Sequence, residues 1–376
     1  VDTRITVLHF CEHFGGAEAS LHGVARGFQW WIPAFDSTRF RVLLCSRKGR
    51  DKAAEQMEQS GIQPIYLGYG KMDPRNLVHL VKLVRRERID IIHAHGYGAC
   101  TWGRIAGLVL GIPVIVHERC NTVTVPLYQR PVEWLLGRTT TLALAVSESS
   151  RRFCIEKRYM KPEAVKVLYH GILMDDIRRV DDRWKQACRT ERGVGATQKV
   201  IGVVGRLESH KGHIDAFTAL KTVLQTMPDV KLWVVGDGAY RETLQDWVRD
   251  NDLAGSVDFL GFRRDVRDLI QCFDVHLFPS HMEGTPNTLY EALAVGNACV
   301  ASTADGQGEI LTDGETALLF EPGDSRKMAG QLLRVLGDKA VELALREHAQ
   351  ALAARFDGRA AIRTMEQYYV KLLAGS

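Results

Sequence analysis

Two pairs of charged residues in the second half of the chain are spaced to hold a charged, hydroxyl-rich ligand. Arg206 and Lys211 stand in Gly205-Arg206-Leu207…Lys211-Gly212, directly after the apolar run 200–204. An arginine fork and a lysine point charge at one strand-to-helix turn can both reach a single pyrophosphate. Glu283 and Glu291 bracket Gly284-Thr285-Pro286-Asn287-Thr288-Leu289-Tyr290, after a second apolar run ending at Phe278. Thr285 suits a helix N-cap and Pro286 the first helical position. The helix start would then aim free N–H groups at the strand end, where a phosphate fits. Carboxylates accept from vicinal hydroxyls. Glu283 above the helix start and Glu291 inside the helix therefore suit a sugar on one side and a ribose on the other.

The first half carries smaller signals. Gly15-Gly16-Ala17-Glu18 follows the first apolar run and opens a helical pattern. Paired glycines there serve close approach to an anion, or simply a tight turn. Gly236-Asp237-Gly238 has Arg241 where a third glycine would stand, and neither stretch makes the G-x-G-x-x-G dinucleotide fingerprint. His93 and His95 alternate along one strand and share a face. Zinc is conceivable there, but no third ligand is spaced nearby, and no metal site is expected. His117-Glu118 ends the next strand, where the imidazole either meets a substrate hydroxyl or phosphate or packs in the core.

The elements that must position these residues alternate almost throughout. Candidate strands at 5–10, 41–45, 89–94, 113–117, 141–146 and 164–169, then 200–204, 231–235, 257–260, 274–278, 298–301 and 317–320, are short, apolar and β-branched, as parallel strands buried on both faces are. Between them, 74–88 carries Leu77, Leu80, Val81 and Val84 as one helical stripe, with Lys82, Arg85, Arg86 and Arg88 mostly off it. A chain of 376 residues with ordinary globular composition suits two domains. The expectation is α/β: two doubly wound Rossmann-like domains facing across a cleft, at 1–174 and 199–355. A polar linker at 175–198 joins them, and a last helix at 356–376 packs back on the first domain. Ligands bind such sheets at the carboxyl ends of the strands, where both charged pairs stand.

A net charge of +4, from 49 basic and 45 acidic residues, argues against a nucleic-acid binder. The eight cysteines, Cys11, Cys45, Cys100, Cys120, Cys154, Cys188, Cys272 and Cys299, are scattered and form no C-x-x-C pair. A reducing, cytoplasmic compartment fits them better than a disulfide framework. Neither a secretory signal nor a membrane span is expected.

In order and spacing, Gly15-Gly16-Ala17-Glu18, Ile92-His93-Ala94-His95-Gly96, His117-Glu118, Val146-Ser147-Glu148, Gly205-Arg206-Leu207…Lys211-Gly212, Gly236-Asp237-Gly238 and Glu283-x7-Glu291 resemble the family 4 glycosyltransferases, from Ile5 to about Phe356. The resemblance implies the GT-B fold. It also implies retaining, generally metal-free transfer of a sugar from a nucleotide-diphosphate sugar, most commonly a UDP-sugar. The acceptor class it suggests is an envelope polysaccharide, a glycolipid or a secondary metabolite. Residue by residue, it implies that Gly15 and Gly16 approach the donor phosphate and that Arg206 and Lys211 neutralise the diphosphate. Gly284, Thr285, Pro286, Asn287, Thr288 and Leu289 would line it, Glu283 would hold the donor sugar and Glu291 the ribose. His117 would stand between donor and acceptor, with His95 and Gly96 on the acceptor side.

Two residues depart from the family pattern: His170-Gly171 stands where Asn-Gly is common, and Glu118 where aspartate is commoner. Asp250-Asn251-Asp252 has the D-x-D form of metal-dependent sugar transferases, but it closes a helical pattern and reads as a helix terminus. Neither metal nor organic cofactor is expected, because fixed cations and helix N–H groups can stabilise the leaving diphosphate instead. The alternative is an isomerase resembling the UDP-GlcNAc 2-epimerases, which would need no acceptor. A weak peripheral hold on an anionic membrane is expected from Lys82, Arg85, Arg86, Arg88, Arg130, Arg138, Arg151, Arg152, Lys157, Arg158 and Lys161, with Trp30 and Trp31 in an unusually bulky turn.

Overall fold

The structure is a computed structural model that describes residues 3–15, 21–119 and 125–375. It divides into two compact units, Val1–His170 with Gly358–Ser376, and Gly171–Asp357.

Unit 1 is built on seven strands: β1 (Ile5–Cys11), β2 (Phe40–Ser46), β3 (Ile65–Tyr66), β4 (Ile91–His95), β5 (Val114–Glu118), β6 (Leu142–Ala145) and β7 (Val165–Val167). They lie in the order β3-β2-β1-β4-β5-β6-β7, and every pair is parallel. Because side chains alternate along a strand, each strand feeds two cores. Val7, Ile91 and Ile115 pack against Phe28 and Trp31 of the helix Gly23–Ala34, and against Ile362, Met365 and Tyr369 of the helix Gly358–Ala374. Leu8, Phe10, Ile92 and Val116 face the other way, onto Leu80, Ala99 and Ala106. Burying each such side chain contributes roughly 1.5–3 kcal/mol.

Unit 2 has six strands: β8 (Lys199–Val204), β9 (Val230–Val235), β10 (Val257–Gly261), β11 (Val275–Phe278), β12 (Cys299–Ser302) and β13 (Leu318–Phe320). Their order is β10-β9-β8-β11-β12-β13, again all parallel. The helices His213–Thr226 and Ser325–Gly337 supply Phe217, Leu220, Met328 and Leu332 to the core on one face.

The expected linker at 175–198 is not a linker. It lies within unit 2 and holds the helix Asp182–Thr190, capped by Asp181, whose carboxylate accepts from Trp184 N–H at 2.7 Å. Cys188 and Val194 pack with Val200 and Phe273, and Arg189 pairs with Asp274 at 3.0 Å. The polar composition of the stretch belongs to the solvent face of an amphipathic helix. The division falls at 170/171 rather than 174, and Ile172 and Asp357 form a parallel bridge inside unit 2. Asp250 ends the helix Arg241–Asp250, and Asp252 takes a left-handed conformation two residues on. Among the described residues, no helix is long and apolar enough to cross a membrane.

Candidate active site

In unit 2, β8 and β11 are neighbours, so the turns after them meet. Gly212 is left-handed, and a Cβ there would lie 2.0 Å from the Pro279 carbonyl oxygen. Only glycine lets this turn lie on the end of β11, where His281 N–H donates to the His210 carbonyl at 2.9 Å. That approach brings Lys211 to Glu283, and Lys211 Nζ donates to the Glu283 carboxylate. Arg206, more exposed, pairs with Glu208. The Gly236-Asp237-Gly238 motif buttresses this turn from β9. Leu207 N–H donates to the Asp237 carbonyl at 3.0 Å, and a Cβ on Gly236 would lie 1.8 Å from the Gly205 oxygen.

The helix after β11 runs Asn287–Val295. Pro286 is its cap residue, in extended conformation with no side-chain cap bond, and Thr285 lies one residue before the cap. The expected placement of both was therefore one position early. Pro286 has no N–H, and Leu289 N–H donates back to the Pro286 carbonyl at 3.0 Å. Both drop out of the expected set of phosphate-facing amides. Asn287 and Thr288 open the first turn. The loop above them is tied to Asp305-Gly306, a support that sequence reasoning missed. Glu283 N–H donates to Asp305 at 3.1 Å, Gly306 N–H donates to the Glu283 carbonyl at 3.2 Å, and a Cβ on Gly306 would lie 1.8 Å from the Gly284 oxygen.

Glu291, inside that helix, is 1% exposed. Its Oε1 accepts from Arg267 Nε at 3.0 Å, while Oε2 has no partner among the described residues. One oxygen is thus held and the other can accept a hydroxyl. Arg267 was also missed, because it sits in the short helix Val266–Leu269, which shows no period.

In unit 1 the chain's own carboxylates take up amides at Gly15 and beside Gly96. The N–H groups of Phe14 and Gly15 donate to Asp51 at 3.1 and 3.0 Å, so Gly15 does not present its amide to a phosphate. Gly16 lies outside the described residues. Gly96 caps the helix Tyr97–Leu110 with φ 84°, and Glu12 accepts from Gly98 N–H at 3.3 Å while pairing with Arg47. A carboxylate already complements that helix start.

His95 and His117 belong to a buried cluster. Register places His9 beside His93 and His95 beside His117, all on one face of β1, β4 and β5. His9 Nδ1 lies 3.0 Å from His95 Nε2, and His93 Nε2 lies 3.1 Å from His117 Nδ1. Ligand atoms of His9, His93 and His95 fall within 4.8 Å of one another. Sequence spacing shows no third ligand near His93 and His95, but the fold brings His9 beside them, because β1 is the sheet neighbour of β4. The doubly wound order was the signal that could have found it. Burial pushes His9 down to about 3 and holds His93, His95 and His117 well below the usual imidazole range, with the Arg119 cation adding to each shift. His117 stacks on Trp31, and its Nε2 has no partner among the described residues. Glu118 pairs with Arg158 at 2.6 Å, and Arg158 and Arg104 both pair with the buried Glu133.

Two parallel-sheet Rossmann-like units, with a cation–carboxylate pair at strand ends of the second and a buried glutamate in the helix that follows, have the architecture of a GT-B glycosyltransferase. Residues 14–175 match the family described as Glycosyltransferase Family 4, and residues 185–352 match Glycosyl transferases group 1. The chain belongs to the family 4 glycosyltransferases. It is 30% identical over 301 residues to glycogen synthase of Mycobacterium tuberculosis, covering 77% of this chain and 71% of that protein. It is 26% identical over 283 residues to UDP-Gal:alpha-D-GlcNAc-diphosphoundecaprenol alpha-1,3-galactosyltransferase of Escherichia coli, covering 72% of each. The fold matches Anabaena HepE in complex with UDP and glucose at a TM-score of 0.83, with 22% identity over 97% of this chain and 99% of that one.

Proposed function

We propose that the chain is a retaining, metal-independent glycosyltransferase that moves a sugar from a UDP-sugar to a lipid-linked or polysaccharide acceptor. The Lys211–Glu283 pair at the ends of β8 and β11 carries this reading. The E. coli relative is named for a UDP-sugar and a diphosphoundecaprenol acceptor, and the Anabaena structure holds UDP, which supports the same chemistry here.

In this reading the donor diphosphate takes Lys211 from Glu283, and Arg206 adds a second cation. Glu283, released, accepts from hydroxyls of the donor sugar, and Glu291 Oε2 accepts from the ribose. The bond from the anomeric carbon to the diphosphate oxygen breaks, and the electron pair leaves with the diphosphate. The acceptor oxygen attacks from the same face, and the departing phosphate oxygen takes its proton. Cations already in place stabilise the developing charge without reorganisation. A lipid-linked acceptor would bring the protein to the cytoplasmic face of a membrane as a peripheral contact.

A thermal-shift screen of nucleoside diphosphates and their sugars tests the donor, since a ligand that binds the native state raises stability by mass action. UDP and a UDP-sugar are expected to give the largest shifts; a larger response to GDP or ADP overturns the donor. The anomeric configuration of the product tests retention. Incubation with UDP-GlcNAc alone tests the isomerase alternative, which a C2 epimer formed without acceptor would establish.

A further inference from the structure

Four imidazoles and one phenol on one face of the unit 1 sheet form a single hydrogen-bond chain. His95 Nε2 lies 3.0 Å from His9 Nδ1, and His9 Nε2 lies 3.3 Å from Tyr369 Oη. Tyr369 Oη lies 2.7 Å from His93 Nδ1, and His93 Nε2 lies 3.1 Å from His117 Nδ1. All five side chains are 2% exposed or less. A neutral imidazole has one donor and one acceptor nitrogen. In such a chain the direction of one proton sets the direction of all the others.

The two directions differ in which imidazole the Tyr369 hydroxyl donates to. A hydroxyl donates over shorter distances than an N–H does, about 2.5–3.0 Å against about 2.7–3.2 Å. The 2.7 Å contact suits Tyr369 O–H donating to His93 Nδ1, and in that direction the longer 3.3 Å contact falls to His9 Nε2–H donating to Tyr369. It follows that His95 Nε2–H donates to His9 Nδ1, and His93 Nε2–H donates to His117 Nδ1. The proton of His117 is left on Nε2, the nitrogen that has no partner among the described residues.

We propose that the Tyr369–His93 relay fixes His117 as an Nε2–H donor, so that His117 holds an oxygen of the bound ligand rather than taking a proton from it. Tyr369 and His93 are then positioning residues. The ligand role rests on the glycosyltransferase reading above; the tautomer does not. Burial keeps the imidazoles neutral, as the relay requires. A metal ion at His9, His93 and His95 would claim the His9 and His93 Nδ1 lone pairs that this chain already fills, leaving only His95 Nδ1 without a partner among the described residues, and no carboxylate belongs to that group to offset its charge.

Long-range 1H–15N spectra of the full chain labelled at histidine read the tautomers directly. The expected result is Nε2–H with bare Nδ1 for His9, His93, His95 and His117, assigned by single-histidine variants. Tyr369→Phe should release His93 and His117 into mixed tautomers and raise the KM of the substrate that His117 holds about two- to tenfold, the range of one hydrogen bond, with a smaller change in kcat. His93→Gln, whose amide N–H can stand where Nε2–H stood, should keep His117 as Nε2–H. An Nδ1–H form of His117 in the unmodified protein overturns the proposal. So does an unchanged His117 signal in folded Tyr369→Phe, or one equivalent of zinc whose removal by EDTA shifts these signals. Should Tyr369→Phe not fold, the unmodified spectrum and His93→Gln still decide. No donor is present in the spectra, so failure of the relay and failure of the proposed activity are separately visible.

Discussion

Lys211 and Glu283 form an ion pair across 72 residues of sequence, with 15% and 18% of their side chains exposed. Each charge is largely out of water and depends on the other. Lys211→Ala is expected to weaken UDP binding by about 1.5–3 kcal/mol, roughly 10- to 150-fold, the value of a hydrogen bond to a charged group. Glu283→Gln should leave free UDP binding intact or slightly tighter, because it removes the competitor for Lys211, and should lower kcat. Calorimetric titration of UDP into both variants checks this; equal weakening would show that Glu283 touches the nucleotide.

Glu291 presents a different case, because its partner is better hydrated than it is. Arg267 is 32% exposed at its side chain and Glu291 only 2%. Arg267→Ala strands a buried carboxylate and should cost toward the lower end of the roughly 3–5 kcal/mol seen when buried pairs are broken. Glu291→Ala leaves an arginine that water can reach and should cost less. In binding the order reverses: Glu291→Ala should weaken UDP and UDP-sugar alike, since both contain the ribose. Melting temperatures and UDP titrations on the two variants test both halves, and a more stable Arg267→Ala would contradict the burial argument.

The strands were legible because parallel strands buried on both faces read as short apolar runs. β3, with two residues, is too short to show any period. The charged pairs were legible because turns after β8 and β11 announce themselves through Gly205, Gly212 and Pro286. What those residues touch was not legible. Asp51 at Gly15 and Glu12 at Gly98 come from separate segments, and the local sequence shows neither contact. His9 joins His93 only through sheet order. Residues 175–198 misled because an amphipathic helix with one solvated face has linker-like composition.

Activity is expected to survive excess EDTA. Arg206 and Lys211 supply positive charge beside the proposed diphosphate position, and the D-x-D stretch at Asp250–Asp252 is a helix end with a left-handed terminus. Turnover measured before and after chelation checks this. Complete loss, restored by Mn²⁺ or Mg²⁺, would mean that the cations of the chain are insufficient.

His276 is fully buried in unit 2 between Phe278 and Phe273, and neither ring nitrogen has a partner among the described residues. Burial pushes it down to about 3. The unfolded chain has an ordinary imidazole near 6.5, so between pH 6.5 and 3 it binds a proton that the native state refuses. Native stability from this group is therefore complete above pH 6.5 and falls as pH is lowered through that window. His276→Leu removes this proton linkage and an orphaned polar group costing about 1–3 kcal/mol. It is expected to raise the melting temperature at pH 8 and to raise it further at pH 5. Scanning calorimetry at the two pH values tests the sign, and a gain that shrinks on acidification would refute it.

Membrane contact is expected from a different surface than composition suggested. Trp31 is fully buried, and Arg158 is buried in its pairs with Glu118 and Glu133, so neither can meet a bilayer. Leu108, Val109, Leu127, Val132, Trp134 and Leu135 are exposed instead, at the end of the helix Tyr97–Leu110, in the short turn Leu127–Gln129 and along the helix Arg130–Thr139. Arg138 lies 4.2 Å over the Trp134 ring, and Arg130 is exposed on the same helix. Tryptophan favours the bilayer interface, and each cation gains about 1 kcal/mol near an anionic leaflet. The protein should sediment with anionic vesicles at low salt and more weakly at physiological salt. A Trp134→Ala, Leu135→Ser double variant should bind at least about tenfold less, given roughly 1.5–3 kcal/mol per buried apolar side chain. Lys82→Ala with Arg86→Ala, on another helix, should lower binding only at low salt, where long-range charge still acts. Indifference to anionic vesicles at low salt would remove the membrane from the account and turn the search for the acceptor toward water-soluble carbohydrates.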